Sequence, residues 1–443
     1  MAPTPPQPLR VAARSRLTGA VQVPGDPSIG PCALICAALA IGESRIEGLI
    51  DDEDVRVTAA ALRAMGAQIE RDDDGLWRIH GVGVGGLLQP AHALDMGDGG
   101  AAAHLLMGLV ATHPITATFV GDAAPSGRPM DDVVATLSQM GATITASPGG
   151  RLPLMIRGLC PAVPIDYTLP AASAQIGSAV LLAGLNTSGI TRVIESVVTP
   201  DHSAQMLRRF GADLTIEESV GGRIIAIHGE AELTPQTIAL PGDPSSAAVW
   251  LVAASIVPGS DLVVRNVGLD PTRSGLIAAL RLMGADITEV DRRAVGGGFV
   301  ADLHVRHAAL TAIDVPPALV PRMIDDAPLL LVAAAFAKGR TVARGVREGR
   351  GADPQRIATM AAALTACGIA CEPFEDGLAI TGTGGAAIPG GATVAARRDH
   401  WIAMGLSVAG LHARRPITID DVGPVATRYP AFYKTLDTMS EDA

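Results

Sequence analysis

The sequence predicts an α/β fold of two pseudo-symmetric globular domains, each assembled from three βαβαββ units. Three observations carry that prediction. A short pattern recurs along the chain as "LRAMGA" at Leu62, "LSQMGA" at Leu137, "LRRFGA" at Leu207, "LRLMGA" at Leu280 and "LTACGI" at Leu364, roughly seventy to eighty-five residues apart. The runs "PGDPSI" at Pro24 and "PGDPSS" at Pro241 echo each other near the start of each half. The chain has 443 residues, more than one ordinary hydrophobic core accommodates.

Each recurrent pattern closes an apolar helical stretch with glycine at the position that needs a left-handed residue. An alternating segment follows each time, such as "QIERDDDGLWRIHG" or "TITASPGGRLPLMIRG". These read as a strand, a turn and a second strand. Upstream, the strand-like "AVQV" runs into a Pro-Gly-Asp turn, Ser28 stands at a predicted N-cap, and an apolar helix follows. A helix start offers unpaired N–H groups and a partial positive charge, so this stretch has the outline of an anion site. It carries Pro27, Pro31 and Cys32 in place of the cations that usually complete one. The copy at Pro241 reads as a plain capped strand-to-helix turn.

Composition narrows the function classes. Aromatic residues are 3% of the chain, too few for base-stacking platforms, and the net charge of -11 opposes nucleic acid and anionic membranes. The opening "MAPTPPQP" reads as a short disordered lead-in without a signal-peptide pattern. Apolar runs such as "APLLLVAAAFA" from Ala327 are too short to span a bilayer, so a cytoplasmic location is expected. The 5 cysteines are scattered and imply no disulfide framework. Cys32/Cys36 and Cys367/Cys371 are each spaced to share a helix face, but no nearby His or carboxylate completes a zinc set.

Beyond this local reading, the chain from about Leu17 to Phe432 resembles the EPSP synthase (3-phosphoshikimate 1-carboxyvinyltransferase) family, in its glyphosate-insensitive bacterial branch. The resemblance rests on "PGDPSI", "ASAQIGSAVLLAGLNTSGITRVIE", "PGDPSSAAVWLVAA", "NVGLDPTRSGLI", "MIDDAP" and "DHWIAMGL". It implies one domain from residues 1–20 plus 241–443, a second from 21–240, and an active-site cleft between them. It also implies a monomer that transfers the enolpyruvyl group of phosphoenolpyruvate to the 5-hydroxyl of shikimate 3-phosphate, without metal or organic cofactor. The sister UDP-N-acetylglucosamine carboxyvinyltransferases use a loop cysteine, which "GDAAPSGRPM" at Gly121 lacks.

Both substrates are anions, and the reaction moves protons, so the site needs cations and carboxylates. The resemblance places Ser28, Ser173 and Ala174 on the acceptor phosphate and Gln175 across the acceptor ring. It places Arg128 and Arg356 on the phosphate and carboxylate of phosphoenolpyruvate. Asp325 takes the hydroxyl proton, and Asp353, one methylene shorter than the family's Glu, is the other proton-transfer group. The family's cations are replaced at Pro27, Cys32, Pro200, Ala352 and Trp401, and an arginine by His104. Asp98 and Ala101 stand for Asn and Thr. Three lost acceptor contacts, at Cys32, Pro200 and Ala352, weaken acceptor binding by roughly 5–9 kcal/mol if additive. A partly degenerate active site is therefore expected. The alternatives are a carboxyvinyltransferase with a less anionic acceptor and a non-catalytic paralogue acting as a binding protein. Outside these roles, His400 reads as support for the turn before its helix, "DDED" at Asp51 as a solvated helix start, and Asp325 as a possible helix N-cap.

Overall fold

The computed structural model describes every residue except 1–4, 98, 122–129, 171–172, 200, 220, 296–297, 348–353 and 443. The chain divides into two compact units. A terminal unit comprises Met1–Pro24, Pro241–Arg293 and Phe299–Ala443, and an inner unit comprises Gly25–Leu240 with Ala294–Gly298.

The five recurrent glycines each end a helix as the sequence predicts. Gly66, Gly141, Gly211, Gly284 and Gly368 all have φ between +89° and +106°, a region that costs other residues strain. A hairpin follows each one, for example Gln68–Arg71 with Trp77–Gly81, and Leu214–Ser219 with Gly222–His228.

The inner unit contains three four-stranded sheets of one design. In each, two parallel strands lie side by side and the hairpin adds antiparallel to the second. This is the predicted βαβαββ unit in three copies. The first strand of the first copy is Thr237–Ala239, contributed from the far end of the unit. The core holds three helices, Gly30–Leu39, Gly100–Ala111 and Ala174–Leu185, which are apolar on every side and therefore buried on every side. The second and third approach closely at Gly108, where an added Cβ would fall 2.2 Å from the Ala179 carbonyl oxygen. The amphipathic helices Glu53–Ala64, Asp131–Gln139 and His202–Arg209 pair one apolar face with a wetter one.

The terminal unit repeats the design less regularly. Its largest sheet joins Arg14–Gln22, Asp261–Gly268, Asp286–Val295 and Gly298–Arg306, with Ser440–Asp442 added at the edge. In the next sheet, Arg340–Arg344, Ala370–Phe374 and Gly377–Thr381, the leading strand is reduced to bridges at Thr311 and Asp314. The last copy is split between short strands, with Ile417–Ile419 between Leu9–Val11 and Thr393–Val394. It has no glycine-closed hairpin, which is why five repeats rather than six are legible. The helices Pro244–Ile256, Ala327–Phe336 and His400–Gly410 form the core.

The two "PGDPS" runs sit where the chain passes from one unit to the other. Strand Arg14–Gln22 pairs in the terminal unit and leads into the inner unit's first helix. Strand Thr237–Ala239 pairs in the inner unit and leads into Pro244–Ile256 of the terminal unit. Asp243 caps that helix, accepting from the Ser245 and Ser246 N–H groups at 3.4 and 2.9 Å, as expected of the plain capped turn.

Four local expectations need correction. Ser28 is not an N-cap: the helix begins at Gly30 behind Ile29, and the Ser28 N–H donates to Asp26 Oδ1 at 2.9 Å instead. Asp325 is not one either, since Asp326 holds the position before Ala327 and its side chain makes no capping bond. Cys367 and Cys371 do not share a helix face, because the turn at Gly368 places Cys371 on the strand Ala370–Phe374. The "DDED" run is not simply solvated, because Asp52 is a buried cap that accepts from the Val55 N–H at 3.0 Å. In the lead-in, the Gln7 N–H donates to Asp421 Oδ1 at 3.0 Å, so the chain is fastened from there onward.

Candidate functional site

In the inner unit, the expected acceptor-side residues lie at two helix starts. Ser173 caps Ala174–Leu185 by accepting from the Ile176 N–H at 3.3 Å. Ala174 opens the helix, and Gln175 is exposed beside it. Ser28 is exposed on the turn ahead of Gly30–Leu39. Both helices pack against His202–Arg209. Helix starts in general carry a partial positive charge that suits an anion.

No cation side chain accompanies them on the first helix. Cys32, at the residue where the resemblance places Arg, is 0% exposed, with its sulfur 4.0 Å from that of Cys36. Hydrogen bonding from Cys36, with a lesser contribution from Ser203, holds the Cys32 thiol below its ordinary range against the opposing effect of burial. The same hydrogen bond, and then burial, pushes Cys36 well up. His104 turns its Nδ1 to the Gly100 carbonyl at 2.8 Å.

A buried ion pair shapes the segment after Ile190–Glu195. Arg223, 5% exposed, donates to Glu195 Oε2 through Nε at 2.9 Å and to the Thr199 carbonyl at 2.7 Å. The Thr199 hydroxyl donates to Glu195 Oε1 at 2.6 Å, and Asp201 Oδ2 stands 3.3 Å from the guanidinium. These contacts fix the approach to His202–Arg209. Sequence reading missed the pair, although Glu195 and Arg223 are directly opposite on neighbouring strands. Opposite charges at the ends of two paired alternating runs were the available signal.

In the terminal unit, Arg356 and Asp325 do come together. Arg356 opens the helix Pro354–Ala366 and is largely buried. Its Nε donates to Asp399 Oδ2 at 2.6 Å, and its Nη1 lies 3.6 Å from Asp325 Oδ1. Asp399 was not foreseen. Its other oxygen caps His400–Gly410, accepting from Trp401 and Ile402 N–H groups at 2.8 and 3.2 Å. One carboxylate thus starts a core helix and orients the guanidinium. Asp325 is different: its side chain is 67% exposed and its contact is long. Asp399 is therefore the closer and better-packed partner of Arg356.

His400 packs against Trp401, with ring centroids 5.0 Å apart. Burial lowers its proton affinity to about 4, so it is a neutral imidazole at physiological pH. That agrees with a supporting role better than with a base. Asp326, 3% exposed, is the opposite case. Burial raises its carboxyl to about 7, with Asp243 adding repulsion and Ser245 a partly offsetting hydrogen bond. Its Oδ1 has no hydrogen-bond partner among the described residues. Nearby, Arg273 donates to Asp243 Oδ1 at 2.9 Å.

Arg128, Asp353, Pro200, Ala352 and Asp98 lie outside the described residues. Among the described residues there is no group of three or more His, Cys, Asp or Glu arranged to hold a metal ion.

The sequence profile of the family described as EPSP synthase (3-phosphoshikimate 1-carboxyvinyltransferase) matches residues 11–436. The chain belongs to this family. It is 58% identical to the 3-phosphoshikimate 1-carboxyvinyltransferase of Novosphingobium aromaticivorans, covering 98% of this chain and 99% of that one. It is also 58% identical to the enzyme of that name from Sphingopyxis alaskensis, covering 96% of each. Among solved structures, the EPSP synthase of Acinetobacter baumannii superposes with a TM-score of 0.92 at 38% identity, covering 98% of each chain. The enolpyruvyl transferase NikO of Streptomyces tendae, at 21% identity and TM-score 0.76, shares the fold. The mixed α/β architecture is thus the family's own, and none of the described helices is long and apolar enough to cross a membrane.

Proposed function

We propose that the chain is a monomeric cytoplasmic carboxyvinyltransferase of aromatic amino-acid biosynthesis, using phosphoenolpyruvate as donor and shikimate 3-phosphate as acceptor. Its hold on the acceptor is weakened by the replaced cations, in a sequence of the glyphosate-insensitive branch. The observation that carries this reading is Arg356 set between Asp399 and Asp325, in a chain so similar to named relatives.

The chemistry follows from that arrangement. Arg128 and Arg356 bind the donor, and Asp399 keeps the guanidinium of Arg356 aimed. An incoming donor anion takes over the face of Arg356 that meets Asp325, where the contact is 3.6 Å. The freed Asp325 carboxylate accepts the proton of the acceptor hydroxyl as its oxygen attacks the donor. Asp353 supplies a proton to the methylene carbon and recovers one when phosphate leaves and the vinyl group reforms. Ser28, Ser173, Ala174 and Gln175 hold the acceptor.

Pro27 and Pro200 supply neither a cation nor an N–H, and Cys32, Ala352 and Trp401 supply no charge. At about 1.5–3 kcal/mol per charge-assisted phosphate contact, acceptor binding suffers most. The interior packing of Cys32 against Cys36 favours one second reading, an acceptor less anionic than shikimate 3-phosphate.

A phosphate-release assay with both substrates tests this. The expected result is release that saturates with phosphoenolpyruvate but not with shikimate 3-phosphate. Ordinary saturation by both would refute the weakened acceptor site. No release, together with no phosphoenolpyruvate binding by calorimetry, would refute the enzyme reading and leave a binding protein. Phosphoenolpyruvate binding without release would support the altered acceptor.

A further inference from the structure

The segment "VPPALVPRMIDDAP" from Val315 carries Asp325 and is built for stiffness. Pro316, Pro317 and Pro321 fix their φ angles and supply no N–H donors. Pro317–Arg322 forms a 3-10 helix of 6 residues, longer than such turns usually run unaided. Met323 and Asp326 are buried on either side of the turn that follows, while the Asp325 side chain between them is 67% exposed. The Met323 N–H donates to the Val320 carbonyl at 3.2 Å, and the Asp326 N–H to the Met323 carbonyl at 3.0 Å. The ion-pair contact of Asp325 is the long 3.6 Å approach to Arg356. Its carboxylate is therefore placed by the backbone of this turn more than by side-chain partners.

The 3-10 helix is clasped by a loop from another motif. "LDPTRSG", from Leu269, leads into the helix Gly275–Leu282. Asp270 Oδ1 accepts from the Thr272 N–H and hydroxyl, both at 2.7 Å, which closes the loop on itself. Arg273 ties the loop to the cap of Pro244–Ile256, through Asp243 Oδ1 at 2.9 Å. Arg322 ties the same loop to the 3-10 helix. Its Nε donates to the Pro271 carbonyl, and its Nη2 to the Ser274 hydroxyl oxygen at 3.1 Å. Both acceptors are neutral, so the planar fork of N–H groups holds the loop rather than a countercharge. Gly275 lets the two backbones meet, since an added Cβ would fall 2.6 Å from the Leu319 carbonyl oxygen and 2.8 Å from the Arg322 carbonyl carbon. Ser274 makes no capping bond, so its hydroxyl oxygen serves the clasp and not the helix start.

We propose that Arg322 is a positioning residue for Asp325: by clasping the loop of residues 270–274 it fixes the 3-10 helix, and with it the turn that presents the carboxylate. The inference rests on the proposed role of Asp325 as acceptor of the hydroxyl proton. Proton transfer tolerates little displacement, and a shift on the order of 1 Å can cost about 100-fold in rate. Arg322 is assigned no contact with either substrate; it acts through the backbone that leads to Asp325. Arg356 is held separately by Asp399 at 2.6 Å, so donor binding does not depend on the clasp.

Arg322→Met and the milder Ser274→Ala test this, each followed by backbone hydrogen exchange and by phosphate release from phosphoenolpyruvate and shikimate 3-phosphate. Arg322→Met should speed exchange at residues 323–326 by about tenfold or more. It should lower kcat about 10- to 100-fold, with the calorimetric Kd for phosphoenolpyruvate unchanged to within about twofold. Ser274→Ala should lower kcat about two- to fivefold, and it carries the comparison if Arg322→Met does not fold. Arg322→Lys keeps the charge but not the fork, so it should recover only part of the loss. Unchanged exchange at residues 323–326 overturns the proposal, whether or not the chain turns over. So does unchanged kcat, an equal loss of phosphoenolpyruvate affinity, or full recovery by lysine. No phosphate release by the unaltered chain refutes the transferase reading instead, and faster exchange in the variant then still supports the clasp.

Discussion

Asp399 holds Arg356 from one oxygen and caps a core helix with the other, so the orientation of the guanidinium is tied to the start of His400–Gly410. Arg356→Ala should weaken phosphoenolpyruvate binding roughly 10- to 150-fold, the loss of about 1.5–3 kcal/mol of charge-assisted contact. Asp399→Asn keeps an acceptor for the cap and removes the charge that aims Arg356. Its expected signature is reduced phosphoenolpyruvate affinity with little change in unfolding midpoint. Asp399→Ala should lose both, with about 1 kcal/mol of stability from the cap alone. Calorimetric titration alongside denaturant unfolding separates the two variants.

A buried carboxyl and a half-buried imidazole make opposite demands on pH. Asp326 binds its proton more tightly folded, at about 7 against an ordinary value of 3.8, so its contribution to stability is full at low pH and lost as pH rises toward 7. His400 binds its proton less tightly folded, at about 4 against 6.5, so stability falls as pH drops below about 6.5. Between pH 4 and 6.5 the two slopes oppose each other, each on the order of 1.4 kcal/mol per pH unit at its steepest. Asp326→Asn removes one of them. The stability of this variant relative to the unaltered chain should therefore climb steadily with pH up to about 7. A pH-independent difference in urea unfolding free energy would show that Asp326 titrates normally.

The Arg223–Glu195 pair is buried on both sides, at 5% and 3% exposure. Removing one partner leaves an uncompensated charge, so Arg223→Met should cost about 3–5 kcal/mol. The double variant Arg223→Met with Glu195→Leu should recover much of that loss, because two apolar residues of similar volume replace an ion pair. Chemical denaturation of both variants gives the coupling directly. A double variant less stable than the single one would mean that the pair acts mainly by tying down Thr199 and Asp201.

How much of this could be seen in the sequence depended on the range of the interaction. The five repeat glycines announced their helix ends because left-handed backbone is a local demand. The apolar runs announced core helices because burial on every side leaves no polar stripe. Arg356 and Asp325 were singled out through a family likeness, and the fold sets their side chains 3.6 Å apart. Asp399 was not legible, since its hold on Arg356 spans 43 positions and its local role as a cap was enough to explain it. Ser28 misled because a serine before an apolar helix is the usual N-cap signal, whereas Asp26 captured the Ser28 N–H and moved the helix start to Gly30. The divided last repeat was hidden because its strands come from three separate stretches of chain.

Restoring charge offers the sharpest test of the proposal that the site is weakened. Trp401 is buried beside His400 and follows Asp399, the residue that aims Arg356. Trp401→Arg would place a guanidinium at the position the family likeness assigns to a cation, and the gain expected for phosphoenolpyruvate is about 10- to 150-fold in affinity. Cys32→Arg should behave differently. Its side chain enters the packed interior occupied by Cys36 and Ser203, so the larger charged group must either redirect toward solvent or destabilise the inner unit. Acceptor affinity and unfolding midpoint, measured together, distinguish these outcomes. If Trp401→Arg folds normally yet leaves phosphoenolpyruvate affinity unchanged, the loss of cations is not what limits donor binding.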